Sequence, residues 1–104
     1  MSVVLIATFE PKAGHRDEVV AAIEKSIARV HSEDAGCELY ALHEEGDNNL
    51  VMIEKWESFD ALGAHGTSPA LTELLTSLDG LTVGQGDIKL LTPHPAGDAA
   101  KGAL

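Results

Sequence analysis

The spacing of apolar residues divides the first part of the chain into an extended segment and a helix. Residues 3–9 form a run that is rich in β-branched side chains and apolar at consecutive positions, which is typical of a strand buried on both faces. From residue 15 to residue 33 the apolar positions recur every three or four residues, which predicts a helix with one buried stripe. That stripe consists of Val19 or Val20, Ile23, Ile27 and Val30.

The middle of the chain alternates in polarity and predicts a hairpin. Residues 37–44 and 50–57 each have a period of two, and the segment 46–49 between them is rich in turn-forming residues. In the first arm Tyr40 and Leu42 share one face, and in the second arm Glu54 and Trp56 share a face.

A broken helix and a last strand follow the hairpin. Ser58 is a suitable cap for a short helix that ends near Ala64, and residues 65–67 interrupt it. Ser68-Pro69 then begins a second helix, because proline is favoured at the first helical position. Its predicted buried side consists of Leu71, Leu74, Leu75 and Leu78. The last strand, residues 81–91, contains Gly84-Gln85-Gly86, which predicts a bulge or a close backbone approach.

The predicted order of elements is β-α-β-β-α-β, an α+β arrangement within one domain over residues 1–92. Residues 93–104 have little to bury, so we expect a tail that is mobile unless a partner holds it. The helices can cover only one face of a four-stranded sheet, yet the first strand is apolar on both faces. Leu42, Val51 and Ile53 extend this apolar character to neighbouring strands. The second face therefore predicts an interface, for which a homodimer is the simplest arrangement.

Charge and composition exclude several classes of partner. The 104 residues include 7 Lys and Arg against 17 Asp and Glu, a net charge of −10 with no basic cluster, so nucleic-acid and anionic-membrane binding are not expected. Cys37 is the single cysteine and cannot form an intrachain disulfide. The apolar N-terminus lacks the basic start of a signal peptide, and no apolar run approaches the roughly 20 residues that cross a bilayer. We therefore expect a cytoplasmic protein.

The segment from Glu54 to Pro69 carries a recognisable motif. A Glu-x-Trp ends a strand, Ser58 and Ala61-Leu62 follow, and His65 comes nine residues after the tryptophan, just before Ser68-Pro69. This segment resembles the antibiotic biosynthesis monooxygenase family. The further matches are Pro11 with Gly14, Gly36-Cys37-Glu38-Leu39-Tyr40 and the Asp47-Asn48 turn. The resemblance covers roughly residues 1–92.

This resemblance implies a ferredoxin-like subunit with an antiparallel sheet, dimerised through that sheet into an α+β barrel. It also implies a cleft between the helices and the sheet in each subunit. The oxygenases of the family act without metal, haem or flavin, so we expect no cofactor. The chain has no Gly-x-Gly-x-x-Gly after a strand, no phosphate loop and no His or Cys pair at metal-binding spacing. Haem-degrading members carry an Asn near the position of Ala7, so haem degradation is disfavoured.

Oxygenation without a cofactor requires a substrate that can itself pass an electron to O2, such as a deprotonated quinol or phenol. The protein must supply a base and donors that hold the anion. His65 is the candidate base, because the ordinary pKa of histidine, about 6.5, lies close to neutral pH. Tyr40 is the candidate anion donor. Trp56 is a candidate stacking wall for a flat substrate.

Each of these residues also has a structural interpretation. His65 could cap or brace the broken helix, Trp56 could anchor helix to sheet, and Tyr40 could lie at the dimer interface. Glu54 is either a pocket acid or the partner of a backbone N–H or a basic side chain, and the structural role is favoured.

The leading hypothesis is a cofactor-independent monooxygenase that oxidises a quinol or polycyclic phenol with O2. The alternative is a dimeric small-molecule binding or stress-associated protein, or an isomerase, on the same scaffold. A phosphorylated sugar substrate ranks low, because the few basic residues are spread along the chain. A ligand-free interaction domain is the third class.

Overall fold

The computed structural model describes residues 1–104 and contains one four-stranded antiparallel sheet and three helices. The elements are β1 (Val3–Phe9), α1 (Arg16–Glu33), β2 (Cys37–Glu45), β3 (Asn49–Trp56), α2 (Phe59–Gly66), α3 (Pro69–Leu78) and β4 (Asp87–Leu91). The strand order is β2-β3-β1-β4, with every neighbouring pair antiparallel. This confirms the predicted ferredoxin-like arrangement. None of the three helices is both long and apolar enough to span a membrane.

The core lies between the sheet and the helices. Side chains on β3 alternate between buried and half-buried positions, as a strand with one face on the core requires. Leu50, Met52 and Trp56 are the fully buried members on β3. From α1 the predicted stripe contributes Val19, Ile23 and Val30, whereas Ile27 is only half-buried. The remaining core residues are Val3, Ala7, Tyr40, Ala70, Leu74 and Leu78.

The boundary between α2 and α3 differs from the sequence prediction. Helix α2 continues to Gly66, two residues past the predicted end at Ala64, so His65 lies in its last turn rather than in the break. The break falls at Thr67 and Ser68. Ser68 Oγ accepts a hydrogen bond from the Leu71 amide at 3.3 Å and caps α3, as predicted. Leu75, predicted to be buried, is 56% exposed.

The last strand is shorter than predicted, because residues 81–86 form a turn instead of its first half. Val83 donates its amide to the Glu10 carbonyl at 2.7 Å, and strand pairing with β1 begins only at Asp87. Gly84 and Gly86 have φ angles of 66° and 82°, which L side chains rarely adopt. A Cβ on Gly86 would also lie 2.8 Å from the Thr8 carbonyl oxygen, so both glycines serve the turn.

The face of the sheet that points away from the helices is here called the outer face. Its apolar residues differ from those predicted from the sequence. Leu42 pairs with Met52 and packs against the core on the helix side. A register shift between Cys37 and Leu39 leaves Cys37 on the core side, while Leu39 and Ala41 point outward. From the strand registers, the apolar residues of the outer face are Val4, Ile6, Leu39, Ala41, Val51, Ile53 and Leu91.

The tail, residues 93–104, folds back over part of the outer face. It encloses a second cavity between Pro93, His94, Ala103 and Leu104 on one side and the outer face on the other. Lys55 Nζ donates a hydrogen bond to the main-chain oxygen of Leu104 at 2.6 Å. Within the tail, the Gly102 amide donates to the Asp98 carbonyl at 2.7 Å.

Candidate functional site

A cavity of about 300 Å³ lies between the sheet and helices α2 and α3. This volume is at the lower end of the range for small-molecule sites. Much of its wall is apolar, and three buried polar side chains, Tyr40, Glu54 and His65, come from three different elements. The other lining residues are Leu5, Ala7, Thr8, Phe9, Leu62, Gly66, Leu71, Leu74, Leu75, Gln85, Gly86, Asp87 and Ile88. The last turn of α2, with His65 and Gly66, and the glycine turn, with Gln85 and Gly86, are both part of this wall.

His65 is held at the cavity wall by a buried carboxylate. Its Nδ1 lies 2.6 Å from Asp34 Oδ2, and the side chains of His65 and Asp34 are only 5% and 7% exposed. Ser68 Oγ donates to the same Asp34 oxygen at 3.1 Å. We therefore assign the proton of the neutral ring to Nδ1, because an ionised carboxylate only accepts hydrogen bonds. Nε2 then carries a free lone pair and is the nitrogen left for a ligand.

Three aromatic rings pack together at this end of the cavity. The Trp56 and His65 rings are tilted by 30° with centroids 4.5 Å apart, and Tyr40 meets His65 edge-on at 5.4 Å. Trp56 is fully buried and is not among the lining residues. It therefore does not form the stacking wall predicted from the sequence; it supports His65 from within the core.

Glu54 both lines the cavity and accepts the indole N–H of Trp56, whose Nε1 lies 3.0 Å from Glu54 Oε1. Its structural partner is thus a side-chain N–H, not the backbone N–H or basic group proposed from the sequence. Burial raises the pKa of Glu54, while the Trp56 hydrogen bond and the nearby His65 act in the opposite direction. No other hydrogen bond is made by this carboxyl group.

Tyr40 lines the cavity from β2 and is 3% exposed. Burial is the largest cause that raises the pKa of its hydroxyl, and the negative charge of Glu54 raises it further. The Ser26 hydroxyl on α1 opposes this rise in the Tyr40 pKa, although Ser26 Oγ has no partner at hydrogen-bond geometry. Tyr40 therefore keeps its proton at neutral pH and can act as a hydrogen-bond donor.

The structure brings three of the four predicted residues, His65, Tyr40 and Glu54, to one cavity and adds Asp34 and Ser68 behind them. No pattern in the neighbouring sequence identifies Asp34 or Ser68 as part of the site. Asp34 follows the last turn of α1, 31 positions from His65, and Ser68 was interpreted only as a helix cap. No group of three or more His, Cys, Asp or Glu side chains has the geometry to hold a metal ion.

Comparisons with known proteins agree on one family. The model of the antibiotic biosynthesis monooxygenase family matches residues 2–76. A relative from Mycobacterium tuberculosis, Rv0793, whose name describes a candidate monooxygenase, is 37% identical over 68 residues. That alignment covers 64% of this chain and 66% of Rv0793, just under two thirds of its length.

Solved structures show the same fold. The structure of Rv0793 superposes with a TM-score of 0.84 at 27% identity, covering 95% of this chain and 99% of that one. SnoaB from Streptomyces nogalater, described as a cofactor-independent oxygenase, gives a TM-score of 0.78 at 22% identity. Here the superposition covers 91% of this chain and 95% of SnoaB.

Proposed function

The chain belongs to the antibiotic biosynthesis monooxygenase family, and we propose that it is a cofactor-independent monooxygenase that oxidises a quinol or another phenolic ring with O2. The observation that supports this most strongly is the buried His65–Asp34 pair at the wall of an apolar cavity. A histidine held in this way is suited to take a proton from a phenol in a water-poor site. The cofactor-free character is proposed by likeness to SnoaB.

In the proposed reaction the substrate supplies all the electrons. His65 Nε2 takes a phenolic proton, and the phenolate passes one electron to O2 to give a semiquinone and superoxide. These combine to form a C–O bond at a ring carbon that carries hydrogen. The O–O bond then breaks as that carbon loses its proton, and water leaves. A quinol and O2 thus give a hydroxyquinone and one water, with one oxygen atom in each product.

Asp34 and Tyr40 assist different parts of this sequence. Asp34 fixes the histidine tautomer and stabilises the imidazolium that forms after proton transfer. Tyr40 donates its hydroxyl hydrogen to the phenolate oxygen, which it can do because its raised pKa keeps it protonated. Both roles require a substrate oxygen near His65, where the Tyr40 ring also lies.

The apolar part of the cavity favours a small planar ring. Leu5, Phe9, Leu62 and Leu71 contribute side chains that exclude water from the reacting atoms. A volume of about 300 Å³ corresponds to roughly ten water molecules at ~30 Å³ each. We infer that the substrate has one or two rings, so a quinol fits better than a larger polycyclic phenol.

The test is oxygen consumption with menadiol under isotopically labelled O2, corrected for the reaction without protein. We expect one labelled oxygen atom in the quinone product and strong loss of the rate in His65→Ala. His43→Ala is the matched control, because His43 is exposed and the one hydrogen bond of its ring is with the Ala41 carbonyl. An unchanged rate in His65→Ala would remove the proposed base. Tight ligand binding without oxygen uptake would favour the non-oxygenase alternative.

We also propose that two copies associate through the outer face. Val4, Ile6, Ala41, Val51 and Ile53 form adjacent apolar positions on three strands, and an apolar area of this kind is typical of an interface. Ile53→Lys should shift the protein toward monomer in analytical ultracentrifugation, because it places a charge at the centre of the face. A wild-type protein that sediments as a monomer at high concentration would contradict this arrangement.

A further inference from the structure

The cavity is lined by acidic residues but by no Lys or Arg. Its acidic lining residues are Glu54 and Asp87. The basic side chains of α1 are engaged with acids: Arg16 with Glu44, Lys25 with Glu73, and Arg29 with Glu33 and Glu73. Lys12 lines a neighbouring cavity and not this one. Lys55 and Lys89 lie on the outer face, on the other side of the sheet.

The two acidic residues differ in their exposure to water. Glu54 is 5% exposed, and a single hydrogen bond, from Trp56, satisfies one of its oxygens. Asp87 borders the cavity at its edge, but by the strand register its side chain shares the outer face with Lys89; it is 66% exposed, and Lys89 Nζ lies 4.0 Å away. Water therefore screens the charge of Asp87, whereas the charge of Glu54 acts through a low-dielectric wall.

A protonated His65 would offset the charge of Glu54 only in part, because Asp34, 2.6 Å from His65 Nδ1, balances the same positive charge. A ligand anion in the cavity would thus lose its hydration and meet an incompletely balanced carboxyl group, with no Lys or Arg to bind it.

We propose that Glu54 is a specificity-determining residue that restricts the cavity to uncharged hydroxylated rings and rejects ligands carrying a carboxylate, sulfonate or phosphate. That the ligand is a hydroxylated ring rests on the proposed function, whereas the rejection of negatively charged ligands rests on the residues that line the cavity. The substrate class is accordingly an unsubstituted or alkyl-substituted quinol, rather than a quinol bearing an acid group.

The test compares three ligands that differ in one substituent: a naphthol, the hydroxynaphthoate with an added carboxylate, and the matching hydroxynaphthamide. Binding to the full chain is measured by calorimetry near neutral pH, without O2 consumption. We expect the naphthol and the amide to bind within about threefold of each other and the carboxylate at least about tenfold more weakly. The amide controls for size, so the remaining difference reports charge.

Two variants locate the source of this selection. Glu54→Gln keeps an acceptor for the Trp56 indole and should reduce the carboxylate penalty to about threefold or less. Asp87→Asn, the matched control at the exposed edge, should leave the penalty unchanged. Equal binding of carboxylate and amide by the wild-type protein would overturn the proposal, even if Glu54→Gln did not fold. An undiminished penalty in a folded Glu54→Gln would also overturn it.

The outcomes separate this inference from the proposed function. Charge selection together with an absence of menadiol oxidation would contradict only the monooxygenase activity. Oxidation of menadiol together with equal binding of the carboxylate and the amide would contradict only the role of Glu54. If the wild-type protein binds neither the naphthol nor the amide, the proposed ring class is wrong.

Discussion

His65 Nδ1 lies 2.6 Å from Asp34 Oδ2, and both side chains are almost completely withdrawn from water. This contact joins the end of α1 to the last turn of α2, and it determines which nitrogen of the histidine can receive a proton. Asp34→Asn should therefore reduce the rate of menadiol oxidation by about a hundredfold or more, since the amide can also stabilise the wrong tautomer.

Nitrogen NMR of the His65 ring tests the same change without a substrate. We expect the Nδ1-protonated tautomer in the wild-type protein and a mixture in Asp34→Asn. Ser68→Ala is the control, because it removes the cap of α3, at a cost of about 0.5–2 kcal/mol, and one hydrogen bond to Asp34, but keeps the contact between Asp34 and His65. The same tautomer in Asp34→Asn and wild type would contradict the assigned role.

Tyr40→Phe should lower the kcat of menadiol oxidation by roughly a hundredfold with little change in KM. The reason is that the lost hydroxyl interacts most strongly with the charge that develops on the substrate oxygen. The free energy of unfolding should change by less than about 1 kcal/mol, because the ring remains and the hydroxyl has no strong partner. A raised KM at unchanged kcat would show that Tyr40 only binds the substrate.

Glu54→Gln should become more stable relative to the wild-type protein as pH rises. Burial raises the folded-state pKa of Glu54 above the ordinary 4.5, so the native state holds this proton over a range in which the unfolded chain releases it. The unfolding free energy of the wild type minus that of the variant is thus highest below pH 4.5. It falls as pH rises through the folded-state pKa of Glu54, and it is constant above that pKa. The slope is at most about 1.4 kcal/mol per pH unit.

Urea unfolding of both proteins between pH 4 and pH 8 measures this difference directly. Contributions from the exposed carboxylates are common to both proteins and cancel in the comparison. A difference that does not depend on pH would show that the Glu54 carboxyl ionises as freely in the native state as in the unfolded one.

Gly36→Ala should destabilise the fold more than Gly14→Ala. Both glycines have φ near 82–83°, so each substitution costs about 1–2 kcal/mol of backbone strain. At Gly36 the new Cβ would also lie 2.5 Å from Ala61 Cβ on α2, whereas nothing lies within 4 Å at Gly14. The additional cost is about 1–3 kcal/mol, measured as the difference in unfolding free energy between the two variants. Equal losses would mean that α2 moves freely away from the turn.

The element order was predictable from the sequence because apolar periods of two and of three to four residues are local signals. The errors have local causes as well. Gly84 and Gly86 were interpreted as part of a strand over residues 81–91, but their positive φ angles place them in a turn before it. Leu42 was correctly grouped with Tyr40 by alternation, but alternation alone does not show which face of a strand meets the helices.

The candidate site was predictable only where its residues belonged to a continuous motif. His65 and Glu54 lie on one segment, and the resemblance added Tyr40. The contact between Asp34 and His65 depends on how α1 and α2 pack, which no residue pattern within either helix specifies. Trp56 was correctly placed on the face of Glu54, but their mutual hydrogen bond withdrew its N–H from the ligand.

The hydrogen bond between Lys55 and Leu104 holds the tail against the outer face. The tail occupies part of the surface through which we propose that two copies associate. It is therefore an intramolecular competitor, and its covalent attachment gives it a high effective concentration that dilution does not change. Association of two copies then becomes an exchange, in which each chain gives up the contact with its own tail before it gains the contact with its partner.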